Sequence, residues 1–296
     1  MTTRTRAEAI LLGTTCIWGG TFTVVKVAME DISPLLLIAI RFAIASLVVL
    51  LVGRGRLFPI PGPAVWKGAI LGTFLFLGFV AQNIGLTITT ASKSAFITGM
   101  MVVFVPLFQF VIERRAPKIG NVVGVAVVTL GLWFLTSPAG SAFNAGDALT
   151  LVCAVLFAVY IVYLDVISRE MGTGQLVFLQ MISTGILSAA AVLAFEQPLF
   201  AVSARSIGAL LYLTFLATLL TTYVQTRFQR DTTPTRAVVI FSIEPVIAAA
   251  IASAILDEQL GWLGLLGGAL IVAGVLLSEF SDSIPMLKKG FDGSEA

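Results

Sequence analysis

The 296-residue chain contains no histidine. That removes the commonest metal ligand and the usual proton carrier near neutral pH. Its two cysteines, Cys16 and Cys153, both fall in apolar stretches, so no disulfide framework is expected. Charge is scarce: 11% of residues are Asp, Glu, Lys or Arg, against about a quarter in an ordinary soluble domain. No Walker A loop is present, which argues against ATP-driven pumping by this chain. Nothing reads as a selectivity filter or a ring of like charges, which argues against a channel. An isolated acid without histidine is too little for acid–base catalysis. No enzyme activity, metal, cofactor or nucleic-acid partner is expected.

Apolar sequence is what the chain has, at 58%. About 20 apolar residues cross a bilayer as a helix, and ten such segments stand out: 9–29, 35–52, 68–88, 94–112, 119–137, 146–166, 175–195, 206–226, 237–256 and 261–280. The breaks are short and punctuated, as in "EDISP", "GRGRLFPIPGP" and "RDTTPTR". The opening "MTTRTRAEA" runs directly into a segment of spanning length and reads as the start of a retained first span. The expected fold is an all-α integral membrane protein of ten transmembrane helices in a lipid bilayer.

The basic residues alternate between the two ends of these segments. Arg4, Arg6, Arg54, Arg56, Lys67, Arg114, Arg115, Lys118, Arg169, Arg227, Arg230, Arg236, Lys288 and Lys289 fall on one side, 14 of the 18. Lys93 and Arg205 fall on the other, and Lys26 and Arg41 lie within spans. By the positive-inside rule both termini are expected in the cytoplasm.

Shifted by about 139 residues, the sequence partly matches itself. Trp18-Gly19 falls on Phe157-Ala158, Arg41 on Gln180, and Pro106 on Pro245, which sets Glu244 opposite Val105. With the shift drifting to 144, Ala95 falls on Ala237, and Gly120 and Gly124 on Gly264 and Gly268. Two five-span halves are expected, 1–139 and 140–296. Five is odd, so the second half enters the membrane from the opposite side. The halves are then inverted-topology repeats, an arrangement that recurs in secondary transporters.

The stretch "IWGGTFTVVKVAMEDISPLLLIAIRFAIA" resembles the opening of the drug/metabolite transporter superfamily, EamA type. "TASKSAFITGMMVVFVPLF" and "TTPTRAVVIFSIEPVIAAAIASAILDEQLGWLGLLGGALIVAGVLL" resemble the ends of its two repeats. The resemblance covers nearly the whole chain. It implies ten helices in two inverted repeats and transport of small metabolites, often export, across the bacterial inner membrane. Exporters of amino acids, including aromatic ones, are the relatives that come first, with a multidrug or other metabolite (purine, sugar-type) exporter of the same fold as the alternative and a passive channel behind it. One departure is Arg115, which stands where the second half has Glu258.

Several residues could carry transport. Ionisable groups in a span are costly and usually face a cavity or a partner. Glu244, about six residues into the ninth segment, reads as a substrate or proton site, a gate, or a bond to a neighbouring helix. Arg41 reads as an attractor of a substrate carboxylate or as a structural charge, and Lys26 as a partner of Glu30 one turn on. Pro106 and Pro245 remove an N–H and crowd the carbonyl four residues earlier, so matched kinks are expected in the fourth and ninth spans. Trp18, Phe22, Phe79, Phe96, Phe157, Tyr160, Tyr163 and Tyr223 supply aromatic surface inside spans. Gln82, Asn83, Gln180, Gln225, Ser94, Thr98 and Ser242 supply polar groups that are expensive in lipid unless turned inward. A substrate cavity between the halves, lined by these aromatic and polar residues, is expected. The GxxxG pairs Gly120–Gly124 and Gly264–Gly268 read as helix-packing scaffold, with the chain working as a monomer.

Overall fold

The computed structural model describes residues 3–114, 119–136, 143–257 and 261–280. Arg115 and Glu258 lie outside them. In lipid only a helix satisfies every backbone group within its own segment, and helices fill the described residues. They are α1 (Thr3–Gly19), α2 (Thr21–Ala28), α3 (Pro34–Gly53), α4 (Gly62–Ile88), α5 (Ala91–Gly99), α6 (Met101–Glu113), α7 (Ile119–Thr136), α8 (Ala145–Ser168) and α9 (Thr173–Phe195). Then come α10 (Ala204–Leu211), a π-helical stretch Tyr212–Leu220, α11 (Thr221–Phe228), α12 (Pro234–Phe241), α13 (Glu244–Ile255) and α14 (Trp262–Phe280).

Some of these join end to end. Eight units are long and apolar enough to cross a membrane: Thr3–Ala28, Pro34–Gly53, Gly62–Ile88, Ala91–Ile112, Ala145–Ser168, Thr173–Phe195, Ala204–Asp231 and Pro234–Ile255. Two further apolar helices, Ile119–Phe134 and Trp262–Ser278, are shorter. The ten overlie the ten apolar segments of the sequence. Several start earlier than the apolar window, because the caps are polar. Thr90 accepts from the Lys93 N–H and Thr233 from the Arg236 N–H, while Asn144 and Ser203 open α8 and α10 with reciprocal capping boxes.

Two of the units are broken. The Ala91–Ile112 unit is interrupted at Met100, between α5 and α6. The Pro234–Ile255 unit is interrupted at Ser242 and Ile243, between α12 and α13. The breaks at Met100 and Ile243 are 143 positions apart, as are the capping residues Thr90 and Thr233. This corrects the expected register. Pro245 sits in the first turn of α13, directly after its break, where a missing N–H costs nothing. Pro106 lies inside α6 and does not interrupt it. In this register Glu244 stands opposite Met101, not Val105. It is also deeper than expected. The unit starts at Pro234, which puts Glu244 ten residues, or about 15 Å, along it.

Helices α7 and α14 pack antiparallel through small residues. A Cβ on Gly124 would meet the Ser278 Cβ at 2.6 Å, and one on Gly131 the Gly267 carbonyl oxygen at 2.8 Å. The seam therefore uses Gly124 and Gly131 against Gly267 and Gly274. The two GxxxG pairs are not its register. Gly268 looks onto Val246 of α13, and Gly120 and Gly264 are buried.

Large apolar side chains such as Val52, Leu193 and Phe195 stand exposed on the outer surface, as lipid requires. Inside, two apolar clusters form. One centres on Leu11, Phe42, Leu71, Val102, Ile161 and Phe241, the other on Phe22, Ile32, Leu37, Leu86, Ala91 and Leu213. The loop around 29–33 is tied to the loop around 196–203. Ser33 N–H donates to Leu199 O (3.0 Å) and Ala201 N–H to Asp31 O (2.8 Å), while Arg205 holds Glu30 and Asp31.

Candidate substrate cavity

The two apolar clusters meet around a cavity lined by nineteen side chains. Its walls come from both halves of the chain. Trp18, Thr21, Phe22 and Val25 come from the first helical unit, and Phe157, Tyr160 and Ile161 from α8. Leu75, Phe79, Gln82 and Leu86 come from α4, and Ala217, Thr222 and Gln225 from the π-helical stretch and α11. Thr98 and Met101 flank one helix break, Phe241 and Glu244 the other. Arg41 of α3 completes the lining.

The aromatic walls are held in edge-on and tilted contacts. Trp18 lies 5.2 Å from Phe241 between ring centroids, and Phe79 lies 5.4 Å from both Phe42 and Phe157. Gly78 makes room for the last pair, since a Cβ there would come within 2.3 Å of the Phe157 ring. The Trp18 indole N–H is fixed by Thr221 Oγ1 (3.0 Å) and the Ala217 carbonyl (3.3 Å).

Two ionisable side chains in this lining have no counter-charge. Arg41 is 1% exposed. Its Nε and Nη2 both donate to Thr218 Oγ1, at 3.1 and 2.7 Å, and its guanidinium lies 4.9 Å from the centre of the Phe79 ring. No carboxylate among the described residues lies within ion-pair distance. Glu244 is 8% exposed, and its carboxylate has neither a hydrogen bond nor an ion pair among the described residues. A buried charge without a partner costs several kcal/mol. The lining thus holds one basic and one acidic side chain, neither paired with an opposite charge among the described residues.

A family model of the EamA-like transporters matches this chain twice, over residues 5–137 and 144–280. The chain belongs to the EamA-like transporter family. It is a multi-pass membrane protein of the transporter class. Among its EamA relatives is an uncharacterized transporter of Archaeoglobus fulgidus, 34% identical and covering 88% of this chain and 82% of that one. The uncharacterized inner membrane transporter YedA of Escherichia coli K12 is 25% identical, covering 88% and 87%. A Salmonella typhimurium protein named "Probable amino-acid metabolite efflux pump" is 26% identical, covering 89% and 91%. One solved crystal structure shares the fold, with a TM-score of 0.77 at 20% identity over 96% of this chain and 98% of that one.

Within this EamA chain, ten residues named from the sequence line the cavity: Trp18, Phe22, Arg41, Phe79, Gln82, Thr98, Phe157, Tyr160, Gln225 and Glu244. Seven others lie outside the lining. Gln180 stands behind Tyr160, accepting its hydroxyl (2.8 Å) and donating to Thr226 Oγ1 (3.2 Å). Asn83 donates to the Pro34 carbonyl (3.2 Å), and Ser242 caps its own helix by donating to Val238 O (2.9 Å). Ser94 meets Thr150 (3.4 Å). Phe96 and Tyr163 pack on the core, and Tyr223 is half exposed. Lys26 donates to the Thr89 carbonyl (2.5 Å) rather than pairing with Glu30. Thr21, Leu75, Met101, Ile161, Thr222 and Phe241 were not singled out from the sequence. The shift would have found most of them. Thr21 and Tyr160, and Phe22 and Ile161, are 139 apart; Phe79 and Thr222, Gln82 and Gln225, Thr98 and Phe241, and Met101 and Glu244 are 143 apart.

Proposed function

We propose that this chain is a secondary transporter that exports amphipathic amino acids, aromatic ones included, by alternating access through the cavity. The observation that carries the reading is the coexistence of unpaired Arg41 and Glu244 in one aromatic-walled cavity. A zwitterion offers a carboxylate to Arg41 and an ammonium to Glu244. Its apolar side chain then lies against Trp18, Phe79, Phe157 and Phe241. Binding would compensate both charges at once. A solute with neither charge leaves both uncompensated, and that difference favours the amino acid.

Ten spans in two inverted five-helix repeats, 1–139 and 140–296, suit the same reading. The twofold family match, the breaks 143 positions apart and the antiparallel seam of α7 with α14 support it. The skewed basic residues support cytoplasmic termini in the cell membrane. The cavity is lined by a single chain, which supports a monomer as the transport unit. Glu244 is the group available for proton coupling.

The test is uptake into proteoliposomes from a panel of amino acids, purines and cationic drugs, with counterflow as the sign of a carrier. Saturable counterflow of aromatic and large apolar amino acids is expected. Movement of cationic drugs alone overturns the amino-acid reading, and non-saturating flux overturns the carrier.

A further inference from the structure

Two ion pairs cross between the halves of the chain, and they are built alike. Lys93, near the start of α5, pairs with Asp147 at the start of α8 (Nζ–Oδ2 2.6 Å). Thr89 donates its hydroxyl to the same Asp147 carboxylate (2.6 Å). Arg236, near the start of α12, pairs with Glu8 near the start of α1 (Nε–Oε1 2.8 Å). Thr232 donates its hydroxyl to the same Glu8 carboxylate (2.9 Å). Lys93 and Arg236 are 143 positions apart, Thr89 and Thr232 also 143, and Glu8 and Asp147 139. In each cluster a threonine and a base from one half grip an acid of the other. Glu8, Arg236 and Asp147 are buried.

The clusters lie at opposite ends of the molecule with the cavity between them. The helical unit Thr3–Ala28 touches both: Glu8 belongs to one, and Lys26 reaches the other through the Thr89 carbonyl. Those residues are 18 apart, about 27 Å along the unit. On the same helices the cavity begins ten residues beyond each acid, at Trp18 and Phe157, and five beyond each base, at Thr98 and Phe241. The bases also sit on the two broken units. A rotation of α5 or α12 about its break at Met100 or Ile243 moves the base away from its acid while α6 or α13 stays in place.

We propose that Glu8–Arg236 and Lys93–Asp147 are the locks of the inner and outer gates, and that transport releases one while the other holds. This rests on the alternating-access reading above. Buried ion pairs suit such a role because separating them opens a wet path for both charges, so each lock is either made or fully broken. The clusters share their threonine, base and acid, and each acid has a further neighbour, Arg4 for Glu8 (3.7 Å) and the Asn144 N–H for Asp147 (2.9 Å); a cyclic carrier needs gates of comparable strength. Were one far stronger, the carrier would rest on one side.

The test reads access to the cavity directly, so it does not depend on knowing the substrate. In full-length protein with Cys16 and Cys153 replaced by serine, a reporter Met101→Cys is labelled by a membrane-impermeant thiol reagent from either face of oriented proteoliposomes. In one variant Lys93→Cys and Asp147→Cys are joined beforehand by a short bifunctional methanethiosulfonate, and in another Glu8→Cys and Arg236→Cys are. Linking the first pair should confine reporter labelling to the cytoplasmic face, and linking the second to the outer face. Reduction should restore both. Linker-free Lys93→Met should raise outer-face labelling by up to about tenfold, and the exchanged pair Lys93→Asp with Asp147→Lys should reverse that rise, which also controls for misfolding. Labelling from the same face in both linked proteins, or labelling indifferent to the links, overturns the gate assignment. If access alternates with the links but no panel solute moves, the substrate reading fails and the locks stand. If solutes move while access ignores the links, the locks fail and the transporter reading stands.

Discussion

Arg41 gives two of its guanidinium donors to a single hydroxyl, that of Thr218, 177 residues away in the sequence. Thr218 does not line the cavity, yet it fixes the cation that does. It sits in the π-helical stretch Tyr212–Leu220, an irregular geometry often found at functional sites.

Removing this hydroxyl should therefore act on binding through Arg41. Thr218→Val leaves buried donors unsatisfied, at a cost of about 1–3 kcal/mol. The expected outcome is a lower melting temperature in detergent and a raised KM for carboxylate-bearing substrates, with Thr218→Ser restoring both. Arg41→Lys should transport little better than Arg41→Gln, because an ammonium cannot reproduce the fork or its stacking on Phe79.

Glu244→Gln separates stability from transport. A neutral amide is cheaper to bury than a carboxylate without a partner, so the melting temperature should hold or rise. Transport should fall, and what remains should no longer respond to a pH gradient across the vesicle. A variant that keeps its full pH-gradient dependence removes Glu244 as the coupling group.

Gly78 controls the cavity's width. Gly78→Ala places a methyl against the Phe157 ring and pushes that ring toward the lumen. Overpacking of this kind costs about 1–3 kcal/mol. Transport of aromatic amino acids should fall more than that of alanine or serine in the same vesicles.

The contact between the loops around 29–33 and 196–203 should be insensitive to physiological pH. Asp31 is held at about 2, first by hydrogen bonds from Arg205 and then by Ser203. Its value lies below the usual aspartate value of about 3.9. The interaction is therefore complete above about pH 4 and is lost as pH falls through 2. Hydrogen exchange of residues 29–33 should be flat, after correction for intrinsic rates, from pH 5 to 8. Asp31→Asn should raise it at every pH.

The eight long apolar units and the two shorter apolar helices were legible because lipid demands long apolar runs and the chain offers few other kinds. The charged and aromatic cavity residues were legible for the complementary reason: Arg41, Glu244 and Trp18 have no business in a span unless something receives them. The register of the fourth and ninth units was not. Pro106 and Pro245 look equivalent as letters, but the units are set by where they are capped, at Thr90 and Thr233, and the breaks follow from there. Gln180 and Asn83 show the other failure. An intramembrane amide must find a partner, and sequence does not say whether that partner is a substrate or a neighbouring side chain. Apolar wall residues such as Leu75 and Ile161 carry no mark that separates lumen from core.

The register of the broken helices bears on directionality. Under the inverted-repeat reading, the two ends of the molecule are mechanically interchangeable, and a perfectly self-similar chain would have no forward stroke. Among the described residues of the cavity lining, the acidic and basic side chains break that equivalence: Glu244 stands where the other half has Met101, and Arg41 where it has Gln180. A proton gradient acts on direction only through a group that takes up a proton, and in the proposed cycle Glu244 supplies that group on one half alone.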